Sequence, residues 1–477
     1  MNLGDYARHD GLGLAALVRK REVSPRELCR LALDGVAAVN PRLNAVIETF
    51  PERVPASDDV PPGPFAGVPF LVKDFPIEAG VRGEMGSRLA AGFAPDRDSE
   101  IMTRLRVAGL VNLGRTAASE LGLAALTASV HAGITRNPWD PARSTAGSSG
   151  GAAAAVAAGI VPIAQGGDGG GSIRNPASFC GLVGLKPSRG RISLAPDEGY
   201  PYSGMTVVFA LTRSVRDCAA LLDAVAGPAV GDPFEIPAPA RPWLEETARP
   251  AGRLRLAFTA RAWSGLPVDP EVARATAATA AACERLGLAV TEAAPAFDYD
   301  AFLAAQIDLW CAHTAASIDA VARALGRAPS EANLETTTWA VYRAGKEMSA
   351  SRFLAAEAVY NEVTRAVAPF FRRHDVLLTP TNTALPLPLD RHDLNAPGAT
   401  VRDLFDHLAP IETFTALFNA TGQPALSLPL HWSRAGLPIG MQLVGRFGDE
   451  AALFRLAAAL EQALPWRERR PAVHVAG

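Results

Sequence analysis

Short apolar runs alternate with helical repeats along nearly the whole chain, and that alternation confines it to an α/β layer architecture on a mostly buried sheet. "FAGVPFLVKDF" (65–75) reads as a buried strand ending at a charged pair. "SEIMTRLRVAGLVNLGRT" reads as an amphipathic helix from Glu100 leading into a strand at 111–113. In "SPRELCRLALDGVAAVN", Ser24 caps a helix, Pro25 suits its first turn and Glu27 completes a capping-box pattern. Ser214 caps "RSVRDCAALLDAVAG" in the same way. A strand at 254–260, a helix at 270–287 and a strand at 288–292 follow, and 300–373 is mostly helical in pattern. "HDVLLTPT" is a further strand, "PALSLPL" and "IGMQLVGRF" form a strand pair, and "DEAALFRLAAALEQAL" is the closing helix. There is no internal repeat, and proline-rich 229–243 reads as a surface excursion of one large domain, not a linker.

A net charge of -3 gives no reason to expect nucleic acid or an anionic membrane as partner. The longest apolar run, "AAAAVAAGIVPIA", is too short for a bilayer, and the opening residues lack the apolar core of a secretory signal. A soluble, cytoplasmic protein is the expectation. The five cysteines, at 29, 180, 218, 283 and 311, are odd in number and show no ligand spacing, so they read as reduced, mostly buried thiols.

The chain has four lysines, at 20, 73, 186 and 346, among 46 basic residues. Lysine, unlike arginine, can lose its proton when buried. Lys73 follows "GVPFLV", so two readings stand: a buried base, or a cation paired with Asp74. "GSSGG" (147–151) fits the G-x-S-x-G nucleophile elbow around Ser149, but the polar, proline-broken "RNPWDPARSTA" stands where that motif needs a strand. A glycine loop with serine caps is the alternative. "GGDGGGSIR" (166–174) lacks a G-K-[ST] ending and has no G-x-G-x-x-G register, which leaves a nucleotide site weakly supported. The backbone N–H groups of Gly169, Gly170, Gly171 and Ser172 can instead converge on an oxyanion beside the Ser172 hydroxyl, unless this is merely a tight loop against the sheet.

"GVPFLVKD", the run from "GSSGGAAAAVAAG" to "KPSRGRIS", "GQPALSLPL" and "GLPIGMQLVGRFGDE", in that order, resemble the amidase signature family over most of the chain. The resemblance implies a large twisted mixed β-sheet covered by helices on both faces. It implies one domain over 1–477: an N-terminal helical arm (1–60), a catalytic core (65–230), a helical, variable pocket region (300–424) and C-terminal strands and helix (425–477). It carries the family's Ser–cis-Ser–Lys triad onto Ser172 as nucleophile, Ser148 as bridging serine and Lys73 as base, with a cis peptide between Gly147 and Ser148. Ser149, Asp168 and Arg174 are expected to orient the loops. No metal or organic cofactor is expected.

Gly167 stands where many members carry threonine, and Gly169 is also unusually small, so the loop is expected to be roomier than usual. The implied activity is hydrolysis of a small apolar or aromatic amide, cyclic amide or carbamate, with esters as a further option. Two alternatives are the glutaminase-type subunit of a tRNA-dependent amidotransferase and an inactive binding scaffold, the latter disfavoured by the intact Lys73, Ser148 and Ser172. Segments 121–131, 195–205 and 404–424 are expected to line the acyl pocket. "FCGLVGLKPSRGRIS" and "TGQPALSLPL" look most like the branch containing 6-aminohexanoate-cyclic-dimer hydrolase. Whether the protein is a homodimer is left open.

Overall fold

A computed structural model describes residues 1–57, 60–391 and 393–477. Among them eleven strands form one mixed sheet. In chain order these are β1 (Val46–Thr49), β2 (Pro69–Lys73), β3 (Val111–Thr116), β4 (Ile163–Asp168), β5 (Val183–Lys186), β6 (Val207–Thr212), β7 (Arg255–Phe258), β8 (Ala289–Glu292), β9 (Val376–Pro380), β10 (Ala425–Trp432) and β11 (Pro438–Gly445). Across the sheet they run β1-β3-β2-β4-β6-β5-β10-β11-β9-β7-β8. The first six strands of the chain thus fill one side of the sheet and the last five the other. The two sides meet where β5 and β10 pair antiparallel, Lys186 opposite Ala425 and Gly184 opposite Ser427.

Central strands read as near-continuous apolar runs because helices pack around the sheet and leave little of them wet. Every residue of β2, β5 and β9 is buried. The strand read at 65–75 is shorter than its apolar pattern, because Pro69 opens β2 and the chain leaves the sheet after Lys73. β2 lies parallel to β3 on one side and to β4 on the other, which puts the C-terminal ends of β2 and β4 side by side. In open sheets of parallel strands, that end is where ligands bind.

Helix starts follow the sequence closely. α1 (Pro25–Leu43) is capped by Ser24, which accepts from the Glu27 N–H at 3.1 Å. The reciprocal half of the capping box is not made, because the Glu27 carboxylate accepts from the Met1 amine at 2.5 Å. Ser214 caps the helix Val215–Val225. Two short buried helices matter most for the site: α2 (Gly150–Ala157), directly after Ser148–Ser149, and α3 (Arg174–Cys180), directly after Ser172. α2 is buried at every position, as its run of alanines allows. In the second half of the chain, α4 (Tyr299–Leu325), α5 (Val401–Glu412) and α6 (Ala416–Thr421) complete the surroundings of the site, and α7 (Glu450–Ala463) closes the chain. All five cysteines are free and buried. No helix among the described residues is long and apolar enough to cross a membrane.

Candidate active site

Lys73 ends β2 with its side chain buried, and its Nζ lies 2.7 Å from Ser148 Oγ. Asp74 is not its partner: that carboxylate accepts from the N–H groups of Glu84 (2.8 Å) and Gly86 (2.9 Å) and pairs with Arg115. Among the described residues no carboxylate oxygen lies within ion-pairing reach of Lys73 Nζ, which rests over the Phe75 ring at 4.6 Å. Burial lowers the Lys73 pKa to about 7, although the charges of Asp168 and Asp74 pull the other way. Ser148 follows Gly147 through a cis peptide.

The loop after β4 carries Ser172, which is buried but for 6% of its surface. Its carbonyl accepts from the Ser149 N–H at 3.3 Å, which joins the two serine loops through the backbone. Ser149 Oγ is itself held against β4, donating to Gly167 O at 3.2 Å and accepting from Gly167 N at 3.3 Å. Within the described residues the N–H groups of Gly169, Gly170, Gly171 and Ser172 have no hydrogen-bond acceptor. Gly171 has φ +145, a conformation that glycine adopts readily, and a Cβ there would stand 2.2 Å from Asn175 Nδ2.

Asp168 and Arg174 frame this loop from below, both fully buried. The guanidinium donates to Asp168 Oδ2 (3.0 Å) and Oδ1 (2.8 Å), Thr415 O (2.9 Å), Gln442 Oε1 (2.8 Å) and Asn419 Oδ1 (2.5 Å). Asp168 Oδ2 also accepts from the N–H groups of Ile173 and Arg174, at 3.2 and 3.3 Å, immediately after Ser172. Burial alone would raise the Asp168 carboxyl, but the Arg174 charge with hydrogen bonds from Arg174 and Asn419 outweighs it and holds the pKa at about 2. This pair fixes the loop that carries Ser172.

The walls come mainly from the second half of the chain. The space gained at Gly169 is filled by Trp310 of α4, whose ring would lie 3.2 Å from a Cβ at 169. Gly167 is different: a Cβ there meets Val207 O at 3.6 Å and Val208 Cγ1 at 4.0 Å, ordinary contacts that leave room for a side chain. A Cβ at Gly170 would stand 2.5 Å from the Glu412 carboxyl, at the end of α5. The three expected pocket segments each approach this centre. Gly122 faces Ser148 Oγ, Tyr202 packs on Trp310 with ring centroids 4.8 Å apart, and 404–424 supplies Glu412, Thr415 and Asn419. Trp310 and Gln442 were not singled out by sequence: each sits inside a regular helix or strand pattern that also suits plain core packing. Among the described residues no group of three His, Cys, Asp or Glu side chains could hold a metal ion.

Residues 27–454 match the family model for amidases. A 6-aminohexanoate-cyclic-dimer hydrolase of Paenarthrobacter ureafaciens is 37% identical over 479 residues, 97% of this chain and 96% of the relative. The solved structure of a 6-aminohexanoate cyclic dimer hydrolase complexed with substrate superposes with a TM-score of 0.92 at 36% identity, covering 98% of this chain and 99% of the other. A bacterial aryl acylamidase of the amidase signature enzymes superposes with a TM-score of 0.86 at 25% identity, covering 96% of each chain.

Proposed function

From the premise that this chain belongs to the amidase family, and so to enzymes that hydrolyse amides, we propose that it works through an acyl-enzyme on Ser172. The observation that carries the reading is the 2.7 Å contact between Lys73 Nζ and Ser148 Oγ, made by a lysine whose pKa burial has brought to about 7. A substantial neutral fraction at neutral pH makes Lys73 a competent base. Lys73 takes the Ser148 proton while Ser148 takes that of Ser172, and the Ser172 oxygen attacks the amide carbonyl carbon. The free N–H groups of Gly169–Ser172 stabilise the negative charge that develops on the carbonyl oxygen. The proton returns through Ser148 to the leaving nitrogen, the C–N bond breaks, and the amine departs neutral. Water then repeats the sequence on the ester, which releases the carboxylic acid and restores Ser172.

The substrate class is a small apolar or aromatic amide, cyclic amide or carbamate. Trp310 and Tyr202 beside Gly169 support an apolar body, and the likeness to the cyclic-dimer hydrolases supports cyclic amides. The test is hydrolysis by the purified chain alone of a panel of anilides, carbamates, short fatty amides and cyclic amides, beside Ser172→Ala. Turnover by the isolated chain that disappears in Ser172→Ala is the expected result. Turnover that survives in the variant removes Ser172 from the mechanism, and turnover only with an added subunit favours the amidotransferase alternative.

A further inference from the structure

At the opposite end of β4 from Ser172 lies a cavity of about 360 Å³. The six residues of β4 set its two ends roughly 17 Å apart. Asp168 stands at one end; at the other, Ile163 pairs with Thr212, the last residue of β6. Arg213 and Ser214 follow Thr212 directly into the cavity wall. α2 and α3 begin beside Ser149 and Ser172, and both reach the cavity with their last residues, Ala157 and Cys180. Much of the remaining wall comes from the tail that follows α7. A cavity of this size holds a small organic molecule.

Five arginines line it, at 8, 213, 216, 467 and 469, against two carboxyls, Asp10 and Glu461. Asp10 is committed: its oxygens accept from Arg216 Nε and Nη2, both at 2.5 Å, and also from Ser214 Oγ and the Gly13 N–H. Arg8 lies 3.5 Å from Asp5. Burial raises the Glu461 pKa to about 7, so at neutral pH it supplies only about half a charge. Arg213, Arg467 and Arg469 have no carboxylate oxygen within ion-pairing reach among the described residues. Of the Arg213 guanidinium only Nη1 is engaged there, donating to Ala7 O. Burial, with the charges of Arg470 and Arg467, lowers the Arg213 pKa to about 10 against the pull of Asp10 and Asp217. Cations that converge on a cavity and repel one another make a site for negative charge. Three guanidiniums without a carboxylate favour a ligand with more than one negative charge, and their forks match phosphate oxygens two at a time.

We propose that this cavity binds a small phosphate ester, its phosphate on Arg213, Arg467 and Arg469 and its organic body on the apolar wall of Ala157, Leu182 and Trp466. The site is separate from the hydrolytic one and contains none of Lys73, Ser148 or Ser172, so it stands whether or not the hydrolase reading holds.

Calorimetric titration of the full chain with phenyl phosphate, inorganic phosphate and phenol tests it. Phenyl phosphate should bind one to one. Inorganic phosphate should bind about tenfold more weakly, because it leaves the apolar wall uncovered. Phenol, which has the ring without the charge, should bind about a hundredfold more weakly than the ester. Arg213→Gln should weaken phenyl phosphate by about tenfold or more, and Arg213→Lys, which keeps the charge without the fork, should fall between. Arg467 is exposed, and its one hydrogen bond among the described residues is to Arg8 O at 3.5 Å, so Arg467→Gln carries the same test if the Arg213 variants do not fold. Parent affinity in both glutamine variants overturns the proposal, as does the absence of binding by the parent at about millimolar phenyl phosphate. Equal affinity for phenyl phosphate and inorganic phosphate overturns the ester in favour of the free ion.

Discussion

Lys73 Nζ meets Ser148 Oγ at 2.7 Å, while Asp74, next in sequence, turns away to Arg115. Adjacent residues at the end of one strand thus face separate networks. One is built around a lysine without an ion-pair partner, the other around a buried carboxylate.

Lys73→Arg should therefore be nearly as damaging as Lys73→Ala, each lowering kcat/KM by about 10³ or more. Arginine keeps the charge but cannot be deprotonated in a protein. In the parent enzyme protonated Lys73 is inactive as a base, so kcat/KM should rise as pH increases through about 7 and then level. Ser148 shares the same proton, so the measured midpoint belongs to the pair. A folded Lys73→Arg enzyme with substantial turnover would leave Lys73 a purely electrostatic role.

Ser172→Ala should lose about 10⁴–10⁶ in turnover and accumulate no acyl-enzyme, read by mass spectrometry of the intact protein during reaction with a slow substrate. Ser149→Ala removes only the bonds to Gly167 and should retain measurable activity. The opposite pattern would return the nucleophile to the Ser149 elbow.

Arg174→Met leaves Asp168 buried without its cation and should destabilise the fold by about 3–5 kcal/mol, seen as a lower denaturation midpoint. The Asp168 carboxyl is held at about 2 in the folded protein, below its ordinary 3.8. Its stabilising contribution is therefore complete above about 4 and is lost as pH falls towards about 2. Asp168 also raises the Lys73 pKa, so in any folded Asp168→Asn enzyme the activity midpoint should move to lower pH. An unchanged midpoint would show that Asp168 does not act on Lys73.

Neighbouring glycines should respond differently to alanine. At Gly171 the backbone has φ +145 and the new methyl would stand 2.2 Å from Asn175 Nδ2 and 2.5 Å from Thr415 Oγ1, so the loop must move and kcat should fall by about 10² or more. At Gly169 it meets the Trp310 ring edge at 3.2 Å, which a small shift relieves, and the loss should stay within about tenfold. Equal losses would mean that the loop, not its walls, resists the substitution.

Strands and helices were legible because their signals are local. The cap at Ser24, the apolar run before Lys73 and the alternation of periods each depend on a few adjacent residues. The lysine count narrowed the choice of base without deciding it. Lys186 is also fully buried, and what distinguishes it is contact: its Nζ donates to Pro187 O, with no serine hydroxyl in reach among the described residues. Trp310, Glu412 and Gln442 could not be read as partners of the glycine loop, because they lie more than a hundred residues along the chain from it. The pairing of β10 with β5, with the packing of α3 on β10 and β11, brings that half of the chain against the loop.

That pairing has an evolutionary consequence. Lys73, Ser148 and Ser172 all lie in the stretch that builds six contiguous strands of the sheet, and Trp310, Glu412 and Asn419 in the stretch that builds the other five. The exposed excursion between them, where Val230 and Phe234 face solvent, is the natural place to divide the gene. Each piece would present a bare edge strand complementary to the other. Neither could work alone, since Arg174 finds Thr415, Asn419 and Gln442 only across the seam. Lys73, Ser148 and Ser172 thus lie together on one contiguous length of sequence, and recombination within 229–243 would keep them together while replacing the walls that the second half supplies.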